Sequence, residues 1–158
     1  MLPPFNVLQF LAFFVPLGVL CGAITLIDIR HGIIPDWLNL AIAGLGLVKT
    51  TAADGLAAGA ETIVGAIAVG AIFWLLRKID GLGLGDVKLL AASTPWIGIA
   101  GIPMLLLTAT LTALVAVGGL RLAGQTMTRQ TSLPFGPFLA IGLLMTFAAQ
   151  QWFALAPG

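Results

Sequence analysis

Two carboxylates stand where an apolar chain can least easily solvate them. Asp28 follows the run GAITLI, and Asp86 closes the stretch GLGLGD just before another apolar run. Ionisable groups at such depth are expensive, and each is a functional candidate. Two carboxyl groups that meet where water is partly excluded cannot both ionise easily, so the pair shares a proton. That state suits peptide hydrolysis: the ionised group takes a proton from water while the protonated one polarises a carbonyl. The titration then belongs to the pair. Gly81, Gly83 and Gly85 precede Asp86 and carry no Cβ, so the backbone can bend and an extended substrate can lie against it. Gly85 also lets the first helix pack closely beside Asp86. The competing reading is a flexible loop with Asp86 as N-cap of the next helix. The glycine spacing is not a dinucleotide fingerprint, and no βαβ pattern surrounds it.

The elements that must position these groups are membrane helices. Of 158 residues, 59% are hydrophobic and only 8% charged, where soluble domains carry about 25% charged residues. The mean hydropathy is +1.11. This is the composition of a polytopic all-α membrane protein in one unit spanning residues 1–158. A net charge of +1 and no run of Lys or Arg give no basic patch for nucleic acid. Cys21 is the only cysteine and His31 the only histidine. Neither an intrachain disulfide nor a Cys-x-x-Cys zinc site is available, and no metal site is expected. Cys21 reads as a small packing residue and His31 as a solvated loop residue. The N-terminal MLPPFNVLQF has no basic region ahead of its apolar run, so a retained helix is expected rather than a cleaved signal.

Spans of about 20 apolar residues divide the chain into about six helices. They are predicted near 5–28, 37–53, 60–76, 86–98, 102–120 and 133–155, with the fourth short. The breaks between them are DIRHGIIPD, DGLAAG, RKIDGLGLGD, the Pro95–Pro103 region and RLAGQTMTRQTS. Arg30, Arg77, Lys78, Lys88, Arg121 and Arg129 fall on one side of this arrangement, which by the positive-inside rule is the cytoplasm. Both termini are then outside. Lys49 alone lies elsewhere, near the outer end of helix two, where it can snorkel. Asp28 and Asp86 come out at similar depth on the cytoplasmic side, although neither was used to set the topology.

DIRHGIIPDWLN, GLGLGDVKLLAA and LPFGPFLAIG, in this order, resemble the type IV prepilin peptidases, of the GxGD class of intramembrane aspartyl proteases. The resemblance runs from about residue 20 to 145. It implies an aspartyl endopeptidase with Asp28 and Asp86 as the catalytic pair. It also implies a cytoplasmic-face cut after a Gly, releasing the basic leader of a prepilin or pseudopilin, in an inner membrane and without cofactor. Larger members carry paired Cys-x-x-Cys motifs linked to N-methylation. Their absence here implies a peptidase-only form, similar to the short enzymes of Tad/Flp-type pilus systems.

The remaining candidates each have a plainer reading. Asp36 opens helix two and matches the second acid of the D…IPD element; it either caps that helix or supports the pair or substrate. Lys88 matches the family's GDxK. It lies two residues past Asp86 and so points away from it on a helix; it either meets lipid phosphate or another loop, or tunes the carboxyl pair. Pro134, Phe135, Gly136 and Pro137 match PFGPF and shape the start of helix six, with the aromatic ring against the active-site wall. Trp37, Trp74, Trp96 and Trp152 sit near predicted helix ends, as an interfacial belt requires. Two functions of other classes remain open: a small proton-coupled carrier, disfavoured by the lack of internal repeats, and a non-catalytic scaffold for pilus assembly. Substrate identity and oligomeric state are not legible in the sequence.

Overall fold

The computed structural model describes residues 7–80, 83–123 and 134–155. These form four helical elements, α1 (Val7–His31), α2 (Asp36–Asp80), α3 (Leu84–Leu122) and α4 (Gly136–Leu155). No strand occurs among the described residues. Three of the helices, over Leu8–His31, Asp36–Ile79 and Leu84–Leu122, are long and apolar enough to cross a membrane. Their outward faces carry exposed Leu, Ile and Val, among them Leu40, Val64, Leu114 and Val115.

α1 runs three residues beyond the predicted end, so Asp28 lies within its last turn. Gly32 stops the helix. It has φ of 64°, and its N–H donates to the Asp28 carbonyl at 2.8 Å. This is the left-handed cap that glycine adopts without steric cost.

α2 and α3 are each two helical segments joined at a glycine with non-helical backbone, Gly55 (φ 89°, ψ 174°) in α2 and Gly98 (φ 68°, ψ 171°) in α3. The described residues therefore hold six helical segments, near the positions the hydropathy pattern predicts. The finer boundaries need correction. DGLAAG is not a polar connection, since helix resumes directly after Gly55, and RKID continues α2 to Asp80. In the Pro95–Pro103 region only Gly98 breaks the helix. Hydropathy marks a fall in apolar content, but a single residue at positive φ is enough to turn a helix. Gly59 closes on Thr51 and Leu47 across the Gly55 turn, so the halves of α2 fold back on each other.

α3 packs against both α2 and α4, and α1 packs against α4 and α2. α4 runs from Gly136, beside Asp28, to Gln150, whose amide donates to the Ile97 carbonyl at the Gly98 kink. The core between these helices includes Leu17, Ile24, Leu38, Ile42, Leu105 and Phe147, each with no exposed surface. Trp96 is part of it. It is 2% exposed, and its indole N–H donates to the Ile42 carbonyl at 2.8 Å. Its ring meets Phe147 edge-on at 5.3 Å. Trp96 is thus a core residue and not part of an interfacial belt, whereas Trp37, Trp74 and Trp152 are exposed.

A kinked helix frees carbonyls that lipid cannot satisfy. The three carbonyls just before Gly98 each accept a side-chain bond: Pro95 from Thr50 at 2.8 Å, Trp96 from Lys49 at 3.3 Å and Ile97 from Gln150 at 3.0 Å. Lys49 accordingly turns into the bundle, with its ammonium also 5.2 Å from the centre of the Phe147 ring. The expectation that it snorkels outward is overturned by this local demand for donors. Thr50→Val should leave the Pro95 carbonyl buried without that donor. Its thermal unfolding in detergent should report a loss of about 1–3 kcal/mol, whereas an unchanged midpoint would mean the kink does not need Thr50.

Candidate active site

Helix geometry places two carboxyl groups at one end of the bundle. Asp28, in the last turn of α1, is 6% exposed. Its Oδ2 accepts the backbone N–H of Gly136 at 3.0 Å. Gly136 is the first residue of α4, and the N–H groups of a helix's first turn have no partner within the helix. The positive end of that helix also favours an anion. α4 thus uses Asp28, from 108 residues earlier in the chain, as an acceptor at its start.

Asp86 is half-buried in the first turn of α3. The cap of this helix is Gly83, which makes no side-chain capping bond. The competing reading, in which Asp86 is itself the N-cap, is therefore overturned by two helical residues, Leu84 and Gly85, that precede it. It occupies the third helical position, and its carboxyl reaches back to the Gly83 N–H, the half of a capping box that an N3 acid supplies. A Cβ on Gly83 would stand 3.0 Å from Asp86 Oδ2. Both carboxyls thus lie at helix N-termini. The backbones of α1 and α3 stay more than 8 Å apart, Cα to Cα.

Ile34 lies between Gly85, which precedes Asp86, and Gly136, whose N–H holds Asp28. It is 8% exposed. A Cβ on Gly85 would lie 3.0 Å from Ile34 Cβ, and one on Gly136 would lie 3.0 Å from Ile34 Cδ1 and 2.6 Å from Asp28 Oδ2. The three sequence motifs meet here: D…IPD through Asp28 and Ile34, GxGD through Gly85 and Asp86, and PFGPF through Gly136. Sequence reasoning passed over Ile34. The available signal was a pair of isoleucines inside an otherwise polar and turn-forming connection, of which Ile33 is exposed and Ile34 buried.

The other candidates divide. Asp36 and Lys88 form an ion pair at 2.6 Å that joins the start of α2 to the first turns of α3. Lys88 thus meets another element, as one of its two readings had it, and Asp36 is the first helical residue rather than a preceding cap. With both side chains well exposed, the pair contributes little to stability, about 0–1 kcal/mol. Phe135 is half-buried against the core and 6.2 Å from Phe138, centre to centre. Its carbonyl accepts the N–H groups of Phe138 and Leu139, each at 3.1 Å, which starts α4. Pro134 is half-buried immediately before it. His31 is exposed, and Cys21 is buried as a packing residue. Gly81 and most of the 121–132 segment, Arg129 included, lie outside the described residues. Among the described residues, no cluster of three His, Cys, Asp or Glu side chains could hold a metal ion.

Comparison with known proteins places this geometry in context. The type IV leader peptidase family matches residues 13–118, a range that contains Asp28, Ile34 and Asp86 and stops before Gly136. The chain is similar to proteins named prepilin leader peptidase/N-methyltransferase. The one from Escherichia coli K12 is 36% identical over 84% of this chain and 61% of that protein. The one from Burkholderia pseudomallei 1026b is 38% identical over 84% and 47%. The one from Xanthomonas campestris pv. campestris is 36% identical over 77% and 44%. The chain spans about half the length of these curated relatives. No solved structure matches it.

The Gly136 contact makes a prediction independent of activity. Gly136→Ala should cost about 1–3 kcal/mol through overpacking, read as a lowered unfolding midpoint in detergent. Part of that loss should disappear in an Asp28→Ala background, where the clashing oxygen is gone. Equal losses in both backgrounds would contradict the contact.

Proposed function

The chain belongs to the type IV leader peptidase family, and from that premise we propose that it is an aspartyl endopeptidase of the bacterial inner membrane. It removes the basic leader of a prepilin or pseudopilin at the cytoplasmic face, cutting after a glycine. The observation that supports this most is the buried Asp28 carboxyl, held by the Gly136 N–H at the end of the bundle where Ile34 also meets Gly85, the residue before Asp86.

Asp28 and Asp86 act as a pair that holds one proton. A water molecule between them attacks the scissile carbonyl carbon while the ionised carboxylate takes its proton. The protonated partner gives its proton to the carbonyl oxygen. The resulting tetrahedral diol collapses as its C–N bond breaks. The departing amine takes the proton held by the first carboxyl, and a diol hydroxyl returns its proton to the second. Both carboxyls end in their starting states, and no cofactor enters. The scissile peptide must be unwound, because a helical carbonyl is already hydrogen-bonded.

In this reading the six helical segments cross the membrane, with both termini outside and the dyad end in the cytoplasmic leaflet. Six of the seven Lys and Arg residues then fall on that side. The segment 84–97 rises only about 20 Å at 1.5 Å per residue, short of the ~30 Å hydrocarbon core, so Asp86 need not lie at the membrane surface. Membrane lipid surrounds the exposed apolar faces.

The test is leader removal by the detergent-purified chain, followed by mass spectrometry on a prepilin with a basic leader, a glycine and an apolar helix. The native chain should cleave after the glycine. Asp28→Asn and Asp86→Asn should each cut the rate by at least ~1,000-fold while keeping the native unfolding midpoint within a few degrees. Cleavage that survives either substitution would remove that carboxyl from the mechanism. Absence of cleavage across several prepilins would favour a carrier or a scaffold.

A further inference from the structure

A pair of carboxyls that shares a proton works only at a suitable separation, and in this fold the two helices that carry them do not pack directly on each other. The helices that carry Asp28 and Asp86 have no backbone contact, with all Cα pairs more than 8 Å apart. Ile34 lies between the glycines that adjoin the two carboxyls. Ile34 presses on Gly85, the residue before Asp86, and on Gly136, whose N–H holds Asp28. A Cβ on Gly85 or on Gly136 would stand 3.0 Å from an Ile34 carbon, so Ile34 fills the space that a side chain at either position would need. Ile34 is itself held from both sides in sequence. The chain before it leaves α1 at the Gly32 cap, and the carbonyl of Pro35 after it accepts the Leu38 N–H at 3.1 Å at the start of α2.

We propose that Ile34 is a positioning residue, the spacer that sets the gap between the Asp28 and Asp86 carboxyls by separating Gly136 from Gly85. The role in catalysis rests on the peptidase reading above, whereas the role in geometry does not. β-Branching suits the task. Two heavy atoms on Cβ leave few χ1 rotamers, so the spacer has a nearly fixed width. Glycine at both contact points lets that width be filled by Ile34 alone.

The first arm of the test needs no activity. In a Cys21→Ala background, Asp28→Cys and Asp86→Cys place thiols at the dyad positions. Their disulfide needs Cα atoms about 4.4–6.8 Å apart, closer than the helices stand. Oxidation in native membranes should be slow, and adding Ile34→Ala should speed it severalfold, with Ile34→Val intermediate. Ile102→Ala, an equal truncation in the core beyond the Gly98 kink, should leave it unchanged. Equal acceleration by Ile34→Ala and Ile102→Ala, or none by either, would overturn the spacer.

The second arm reads cleavage. Ile34→Ala should lower kcat roughly 10- to 100-fold with KM within about twofold. It should also change the width of the pH–rate profile, and Ile34→Val should restore most of the rate. Ile102→Ala should lose comparable thermal stability yet keep both kcat and the profile. A rise in KM alone, or matching kcat losses in the two truncations, would overturn the positioning role. If the native chain cleaves nothing while crosslinking still depends on Ile34, the spacer stands and the peptidase reading fails.

Discussion

The bond from the Gly136 N–H to the Asp28 carboxyl joins the first described helix to the last. A carboxyl that is 6% exposed cannot keep its water, so its cost must be offset by directed donors. The fold supplies them from the one part of a helix where donors are free, the first turn. Asp86 has the corresponding place at the start of α3. Each carboxyl lies at a positive helix end, and each adjoining glycine is there because a side chain would strike a carboxyl oxygen or Ile34. The remaining helices act as the frame that delivers these two ends to one place.

That frame obeys the same rule at its opposite end. Turning α3 at Gly98 brings its second half back beside α4, but it frees carbonyls in an apolar setting. Thr50, Lys49 and Gln150 each supply a donor to one of them. Trp96 adds a donor to Ile42 of α2. The bundle is therefore cross-linked by polar contacts at both ends and packed by Leu, Ile and Phe between. Gross apolar burial makes the helices. The few directed bonds decide where they stop and which neighbours they meet.

This division explains what was legible in the sequence. The number of helical segments followed from hydropathy and from glycine and proline breaks, and the two candidate carboxyls from their isolation in apolar surroundings. Lys49 and Trp96 were misplaced because composition gives a residue's depth but not its direction. Lys49 faces inward because a carbonyl needs it there, and Trp96 because Ile42 accepts its N–H. Asp86 lies three residues past the Gly83 cap, so the competing reading of it as N-cap fails on a boundary that hydropathy does not draw finely. Ile34 was invisible for a different reason. Its role lies in contacts with two glycines that are distant in sequence, and an isoleucine in a short connection announces nothing by itself.

The central claim is that Asp28 and Asp86 form one chemical unit. The most direct measurement is the cleavage rate of the double variant Asp28→Asn with Asp86→Asn, set against the two single variants and the native chain on one prepilin. Groups that act as a unit are strongly non-additive. The account predicts that the double variant is no slower than the slower single variant. Losses that multiply, each substitution removing its own independent factor, would contradict it.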